Sequence, residues 1–320
     1  MKHLLLLGAG FSRNWRGWLA SEALDYLIGC DPVDADIKEL LSGHRDTDGF
    51  EGALDELQAN FIRNPDGRVK ERLQRLQDAI AEMFGTMDQA FASIKFEFKN
   101  DTEYLVRTFM TRFDTIFTLN QDLLLERHYL DGNVALSSPR KWDGWQIPGM
   151  KRVAGTEVSP FEQNTCKWSP MEPDKWKLSR RTQPYIKLHG SSNWIDGDGG
   201  QLLVMGGNKA ATIQQHQILR WYFEKFVENL SSGDARLMVI GYSFGDDHIN
   251  RAILDAISNH RLKLFIIDTA GVKVTDRIRD NAKNAGVTLA HSIVGASTRS
   301  LNETFGGDVA EHTKVMRFFR

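Results

Sequence analysis

Short runs of consecutive apolar residues recur along the chain, and between them lie longer stretches whose apolar residues step by three and four. The runs cover residues 4–7, 116–119, 184–188, 236–241 (RLMVIG), 262–268 (LKLFIID) and 287–294. A strand with one face in water alternates apolar and polar positions. These runs do not alternate, so they predict strands buried on both faces. Helices are predicted over 15–28, from Leu123 onward, over 212–230, after the YSFGDDHIN stretch to His260, and over 274–284. Between Val69 and Phe98, apolar residues fall at Val69, Leu73, Leu76, Ile80, Met83, Met87, Phe91, Ile94 and Phe98. That spacing predicts an amphipathic helix, or two with a break near Gly85. Its apolar stripe suits packing on its own domain, and the same stripe is the alternative candidate for a subunit contact. Residues 131–183 show little periodicity but hold four tryptophans and several prolines. They read as a loop-rich insertion, a lid or a docking surface.

All-apolar strands alternating with helices predict an α/β fold: a Rossmann-like parallel sheet covered by helices on both faces. The expected organisation is one domain over 1–320, with a helical insertion at about 30–112 and the loop-rich insertion at about 131–183. In such sheets ligands bind at the carboxyl ends of the strands. Nearly every distinctive polar or glycine-rich group falls there: Gly8, Ala9 and Gly10; Asn120 to Asp122; His189 and Gly190; Gly241 to Asp247; and Asp268.

Composition narrows the classes. With 40 basic and 42 acidic residues the net charge is −2, which is no nucleic-acid footprint. The two cysteines, Cys30 and Cys166, form neither a metal-ligand pair nor a disulfide framework, which suits a reducing cytoplasm. No apolar stretch is long enough to span a bilayer, and the opening MKHLLLLGAGFS lacks a small-residue cleavage site. A soluble cytoplasmic protein, off the membrane, is the expectation.

Gly8 and Gly10 let backbone approach a phosphate closely, with a helix start just beyond. A dehydrogenase fingerprint would place a third glycine where Arg13 stands, and an acid after a second strand about twenty residues on. The chain instead runs to Cys30 and Asp31. The glycines therefore point to a nucleotide and away from ordinary hydride transfer.

Four motifs in order, GAGFS, TLNQD, KLHGSSNW and IGYSFGDDHI, resemble the signature of the sirtuin superfamily. That signature is a GAG-x-S turn, a T-x-N-x-D strand end, a catalytic His-Gly and a later glycine-serine turn. NQDLLLE and GYSFGDDHI resemble its divergent bacterial branch, whose members consume NAD+ in antiphage defence. The resemblance spans Gly8 to Asp268. It implies that Gly8, Ala9, Gly10 and Ser12 cradle the diphosphate, that Asn120 faces the nicotinamide ribose and positions a water, and that Asp122 recognises the nicotinamide amide. It implies His189 as general base. Gly241, Ser243 and Phe244 would line the diphosphate and adenosine side, and Asp268 would take the adenosine ribose hydroxyls.

The chemistry of these residue types agrees. Nicotinamide leaves as a neutral molecule from a cationic ring and needs little acid help, while positive charge builds on the ribose. A carboxamide and a neutral imidazole tolerate that charge and can direct a nucleophile, and imidazole titrates near neutrality. Plainer roles are open to each residue singly: Asn120 could cap the helix near Leu123, Asp246 the one after Gly245, and Asp268 could end its strand in a turn.

The chain also departs from the deacylating sirtuins. Residues 190–240 contain no cysteine, so the zinc module built there from two CxxC pairs is absent, and no zinc is expected. The G-I-P-x-F-R segment is replaced by Arg13-Asn14-Trp15-Arg16-Gly17-Trp18, and the spacing from Asp122 to His189 is much longer. The reading is therefore an NAD+ glycohydrolase using His189 and Asn120. The alternatives are an NAD-dependent deacylase or ADP-ribosyltransferase, and a non-catalytic NAD or ADP-ribose sensor. A homo-oligomer is expected. The resemblance further offers a HerA-type DNA-translocating ATPase or an Argonaute-like protein as candidate partners.

Overall fold

The computed structural model describes residues 1–131, 134–137, 141–156 and 163–320. Among the described residues eleven strands run in chain order: β1 His3–Leu7, β2 Thr115–Thr118, β3 Gly144–Gln146, β4 Met150–Arg152, β5 Trp168–Pro170, β6 Thr182–Lys187, β7 Gly190–Ile195, β8 Gln201–Leu203, β9 Arg236–Ile240, β10 Lys263–Ile267 and β11 Ile293–Ser297. Seven form a fully parallel sheet in the order β11-β10-β9-β1-β2-β6-β3. Every residue of β2, and all but the first residue of β1, β9 and β10, is buried. Burial at consecutive positions requires helices over both faces of the sheet. The predicted Rossmann-like α/β architecture is the one observed.

The order of strands locates the crevice. From β1 the chain moves outward through β2 and β6, then returns to place β9 and β10 on the other side of β1. The direction reverses between β1 and β9, and ligands bind at such a switch point. The backbones beyond these two strands are locked together there. Gly8 N donates to Ile240 O at 3.0 Å and Gly10 N to Gly241 O at 2.9 Å. A Cβ on Gly10 would lie 2.7 Å from Gly241 Cα, and one on Gly241, whose φ is +62°, would lie 2.3 Å from Gly10 C. The GAG turn and the glycine-serine turn are thus halves of one contact that only glycines permit.

Register then aligns the strand ends. Leu7 is level with Ile240 and with Thr118, Ile240 is level with Ile267, and Thr118 is level with Lys187. Counting outward from those pairs, Gly8, Gly241 and Asp268 share one level. Asn120 and His189 each lie two residues beyond the last paired residues, Thr118 and Lys187, of the neighbouring strands β2 and β6.

A second sheet, β4-β5-β7-β8, packs alongside. It draws β4 and β5 from the stretch read as loop-rich, of which residues 132–133, 138–140 and 157–162 lie outside the described residues. His189 is the link between the sheets, since β6 ends at Lys187 and β7 begins at Gly190. Gly190 has φ +73°, and a Cβ there would lie 2.1 Å from Leu202 O. The glycine after the histidine is required by the turn from one sheet into the other.

Several boundaries differ from the sequence reading. The amphipathic stretch is one 26-residue helix, Gly67–Ala92, capped by Asp66 and unbroken at Gly85. One glycine costs roughly 1 kcal/mol, and buried Met83, Phe84 and Met87 around it outweigh that cost. The stripe of Leu76, Ile80, Met83, Met87 and Phe91 lies in the chain's own core. Residues 15–28 are not one helix: a 3-10 turn, Arg13–Trp15, precedes Ala20–Ile28, with Arg16 left-handed at φ 66° between them. The predicted helix over 212–230 is two helices, Lys209–Gln215 and Gln217–Leu230, parted at the extended His216. The last strand lies further on than 287–294, because Leu289–Ser292 is helical. As an edge strand with only Ser297 fully buried, β11 carries a weak apolar signal.

Gly241→Ala tests the interlock. It adds both backbone strain and overlap, so we expect a loss of about 2–4 kcal/mol, read as a lower midpoint in thermal and urea unfolding. An unchanged midpoint would show that the turns separate freely.

Candidate functional site

The segment beyond β1 seats Ser12, which is only 2% exposed. Gly17 N donates to Ser12 O at 2.9 Å, so the RNWRGW segment closes back on that serine. Trp15 anchors the segment by donating Nε1–H to Phe96 O at 2.9 Å and stacking on Phe96 and Phe98.

Ser12 joins the two polar residues beyond β2. Asn120 Nδ2 donates to Ser12 Oγ at 3.0 Å, and Ser12 Oγ donates to Asp122 Oδ2 at 2.7 Å. The chain of donors has one direction, and it fixes the Asn120 amide: the NH2 group faces Ser12, leaving Oδ1 to accept from elsewhere. Asn120 N donates to Thr118 Oγ1 at 3.0 Å. The helix-capping role is taken by Asp122, whose Oδ1 accepts from Leu124 N at 3.1 Å.

Beneath Asp122 lies a fully buried ion pair. Lys187 Nζ stands 2.8 Å from Glu126 Oε1, both side chains being 0% exposed, and also donates to Asp122 O at 2.6 Å. Tyr185 O–H donates to Glu126 at 3.3 Å. Burial raises the Asp122 and Glu126 carboxyls above their usual range, against the opposing pull of Lys187 on each.

His189, 2% exposed, lies next along the row. Its Nε2 is 3.1 Å from His248 Nε2, and the ring centroids are 5.2 Å apart. Burial lowers the His189 pKa from 6.5 to about 3; Asp246 opposes this, while Lys209 and His248 add to it. Burial likewise lowers His248. For Asp246, burial works upward, but His189, Lys209 and His248 together hold the carboxyl below its usual range. Lys209 bridges Asp246 Oδ1 at 2.9 Å and Glu51 Oε2 at 2.8 Å, tying the 241–248 loop to helix Gly49–Arg63. Asp246 heads helix Asp247–His260 without a side-chain capping bond, so its carboxylate serves the lysine instead. Tyr242 and Asn250 brace the loop: Tyr242 O–H donates to Asn250 Oδ1 at 3.0 Å, and Asn250 Nδ2 to Phe244 O at 3.0 Å.

The remaining sequence candidates occupy the rim. Ala9 and Ser243 are exposed at the β1–β9 crevice, with Gly10 half-buried between them. Phe244, left-handed at φ 55°, turns its ring inward against Tyr242 at 4.9 Å. Asp268 accepts from Ala270 N at 2.8 Å, so it does close a turn, and it follows β10 as Gly241 follows β9, on the same side of the crevice. Sequence reasoning assigned no role to Lys187, Glu126, Lys209, Glu51 or His248. The one visible signal was a lysine inside an otherwise apolar strand, YIKL. No group of three or more potential metal ligands occurs among the described residues. Nor is any helix among them long and apolar enough to cross a membrane. A groove of about 670 Å³ lined by Arg236, Lys263 and His291 lies at the opposite, amino ends of the strands.

A parallel sheet with an Asn–Ser–Asp cluster and a buried histidine at its carboxyl ends is an α/β fold whose candidate ligand site lies at the strand ends. A family model of the SIR2-like domain matches residues 114–290, more than half of the chain, and the protein belongs to that family of NAD-dependent enzymes. A comparison with curated proteins finds no match.

Two outcomes follow from this geometry. Lys187→Met strands the Glu126 carboxylate in the core and should cost about 3–5 kcal/mol, whereas Lys187→Met with Glu126→Leu should recover most of it. Urea unfolding of both variants checks this, and equal losses would deny the pairing. His189 is depressed in the folded state, so between pH 6.5 and about 3 the unfolded chain binds the proton more readily. Its contribution to stability is intact above pH 6.5 and is lost as pH falls through that window. Melting temperatures from pH 7 to 4 should fall less steeply for His189→Gln than for wild type.

Proposed function

We propose that the chain is an NAD+ glycohydrolase that cleaves NAD+ to nicotinamide and ADP-ribose. The observation that carries this reading is that Asn120 and His189 each follow, by two residues, the paired ends of the neighbouring strands β2 and β6, with the Asn120 amide oriented through Ser12 and Asp122. The residues fit the dinucleotide's needs. The glycine-lined crevice with exposed Ala9 and Ser243 suits the diphosphate, Asp268 the adenosine ribose, and Asp122 the nicotinamide amide. NAD+ supplies a good leaving group, so the chain has only to guide a nucleophile to the ribose. Asn120 Oδ1 holds a water by accepting one of its hydrogens. His189, neutral at cellular pH, is in the form that accepts the water's other proton. The absence of cysteine from 190–240 removes the usual means of building a zinc module and favours water over an acyl-lysine.

Unrestrained NAD+ loss would kill the producing cell. We therefore extend the proposal to an effector that depletes NAD+ in antiphage defence, acts in the cytoplasm, and is governed by self-assembly or by a HerA-type or Argonaute-like partner.

Purified protein incubated with NAD+ should release nicotinamide and free ADP-ribose without any peptide, and chelators should not stop it. His189→Ala should lower turnover by about 10²–10⁴-fold while NAD+ still binds, and folded Asn120→Ala should be silent. Nicotinamide release that needs an acetylated peptide and yields O-acetyl-ADP-ribose would establish a deacylase instead.

A further inference from the structure

His248 stands outside every role assigned above, yet among the described residues it makes the one polar contact of the proposed base's side chain. Two imidazole Nε2 atoms 3.1 Å apart can share one proton only: two lone pairs facing each other repel, and so do two N–H groups. The pair is therefore a donor and an acceptor, and which ring donates decides which His189 atom is basic. A ring that donates through Nε2 keeps its lone pair on Nδ1, while a ring that accepts through Nε2 has no basic atom left. Resting on the reading of His189 as base, we propose that His248 is its positioning residue, accepting the His189 Nε2–H and leaving Nδ1 as the atom that takes the proton from water.

The surroundings suit a proton arriving there. Asp246 is a carboxylate close to both rings and offsets the charge of a protonated His189; Lys209 opposes it, but its ammonium is itself paired with Asp246 and Glu51. Around His248, Asp246 and Asp247 oppose Lys209 and Arg251. His248 is set by the first turn of helix Asp247–His260 and by Phe223, whose ring centroid lies 5.7 Å away. A base whose far nitrogen is held by a further side chain is the arrangement general-base catalysis uses to select a tautomer.

The test combines tautomer and turnover. Nitrogen-15 NMR of selectively labelled histidine, with His189→Ala to assign the resonance, reports which His189 nitrogen carries the proton. We expect Nε2–H in the wild type and in His248→Gln, whose amide oxygen still accepts, and loss of that single state in His248→Phe. His248→Phe preserves the ring packing, so it should lower kcat about 10–100-fold, less than the roughly 10²–10⁴-fold that the base itself carries, with KM for NAD+ little changed. His248→Gln should restore most of the rate. Full activity in His248→Phe would make the residue mere packing, and raised activity would make it a latch; either overturns the proposal. A wild-type Nδ1–H tautomer overturns it without reference to turnover. Undiminished nicotinamide release from His189→Ala overturns the base assignment instead, and with it the catalytic half of the proposal.

Discussion

Three glycines set the distance between the two halves of this fold. Gly8 and Gly10 beyond β1 rest on Gly241 beyond β9, and no side chain fits between them. The contact sits where the strand order reverses, at the point where a parallel sheet opens its crevice. With β1 and β9 held at that separation, register carries alignment outward through β2 to β6. Asn120, Asp122 and His189 all follow strand ends aligned in this way. The glycines read first as a phosphate cradle are thus also the mechanical joint of the sheet, and the two roles are compatible, since both need bare backbone.

Much of this was legible in the sequence because consecutive apolar residues leave few alternatives. Five of the six predicted runs lie on strands of the central sheet nearly as drawn, and the polar groups just past them line the candidate site. Edges were legible only where burial is complete. The last strand was misplaced because β11 is an edge with mixed residues. Gly85 suggested a break because composition shows a glycine's cost but not the buried Met83, Phe84 and Met87 that offset it. Arg16 and His216 interrupt helices through backbone dihedrals that neither residue type announces.

For the candidate site, the sequence offers residues and leaves their connections opaque. Motif order pointed to Asn120, Asp122 and His189, but nothing in the spacing shows that Ser12, over a hundred positions away from Asn120, bonds both Asn120 and Asp122. Lys187 is the clearest omission. A lysine within an apolar strand is costly unless paired, and its partner, Glu126, lies beyond Asp122 on the exit of the neighbouring strand β2. Long-range pairs of this kind are set by packing, which a pattern along one chain does not display.

The electrostatics of the two ends of the row differ in kind, and that difference bears on mechanism. Around Asp122 the charges are sealed: Lys187 and Glu126 neutralise each other out of reach of water, which fixes geometry more than it supplies charge. Around His189 they are partly open to solvent: Lys209, Asp246 and Glu51 form a chain that reaches from the 241–248 loop to helix Gly49–Arg63. Burial alone would make His189 a poor proton acceptor, and Asp246 is the one group named beside it that pulls the other way. Any change that loosens Lys209 from Asp246 frees that carboxylate to act on the imidazoles. Lys209 therefore ties the helical region to the loop beside His189, and the strength of the proposed base depends on how that lysine divides its charge between Glu51 and Asp246.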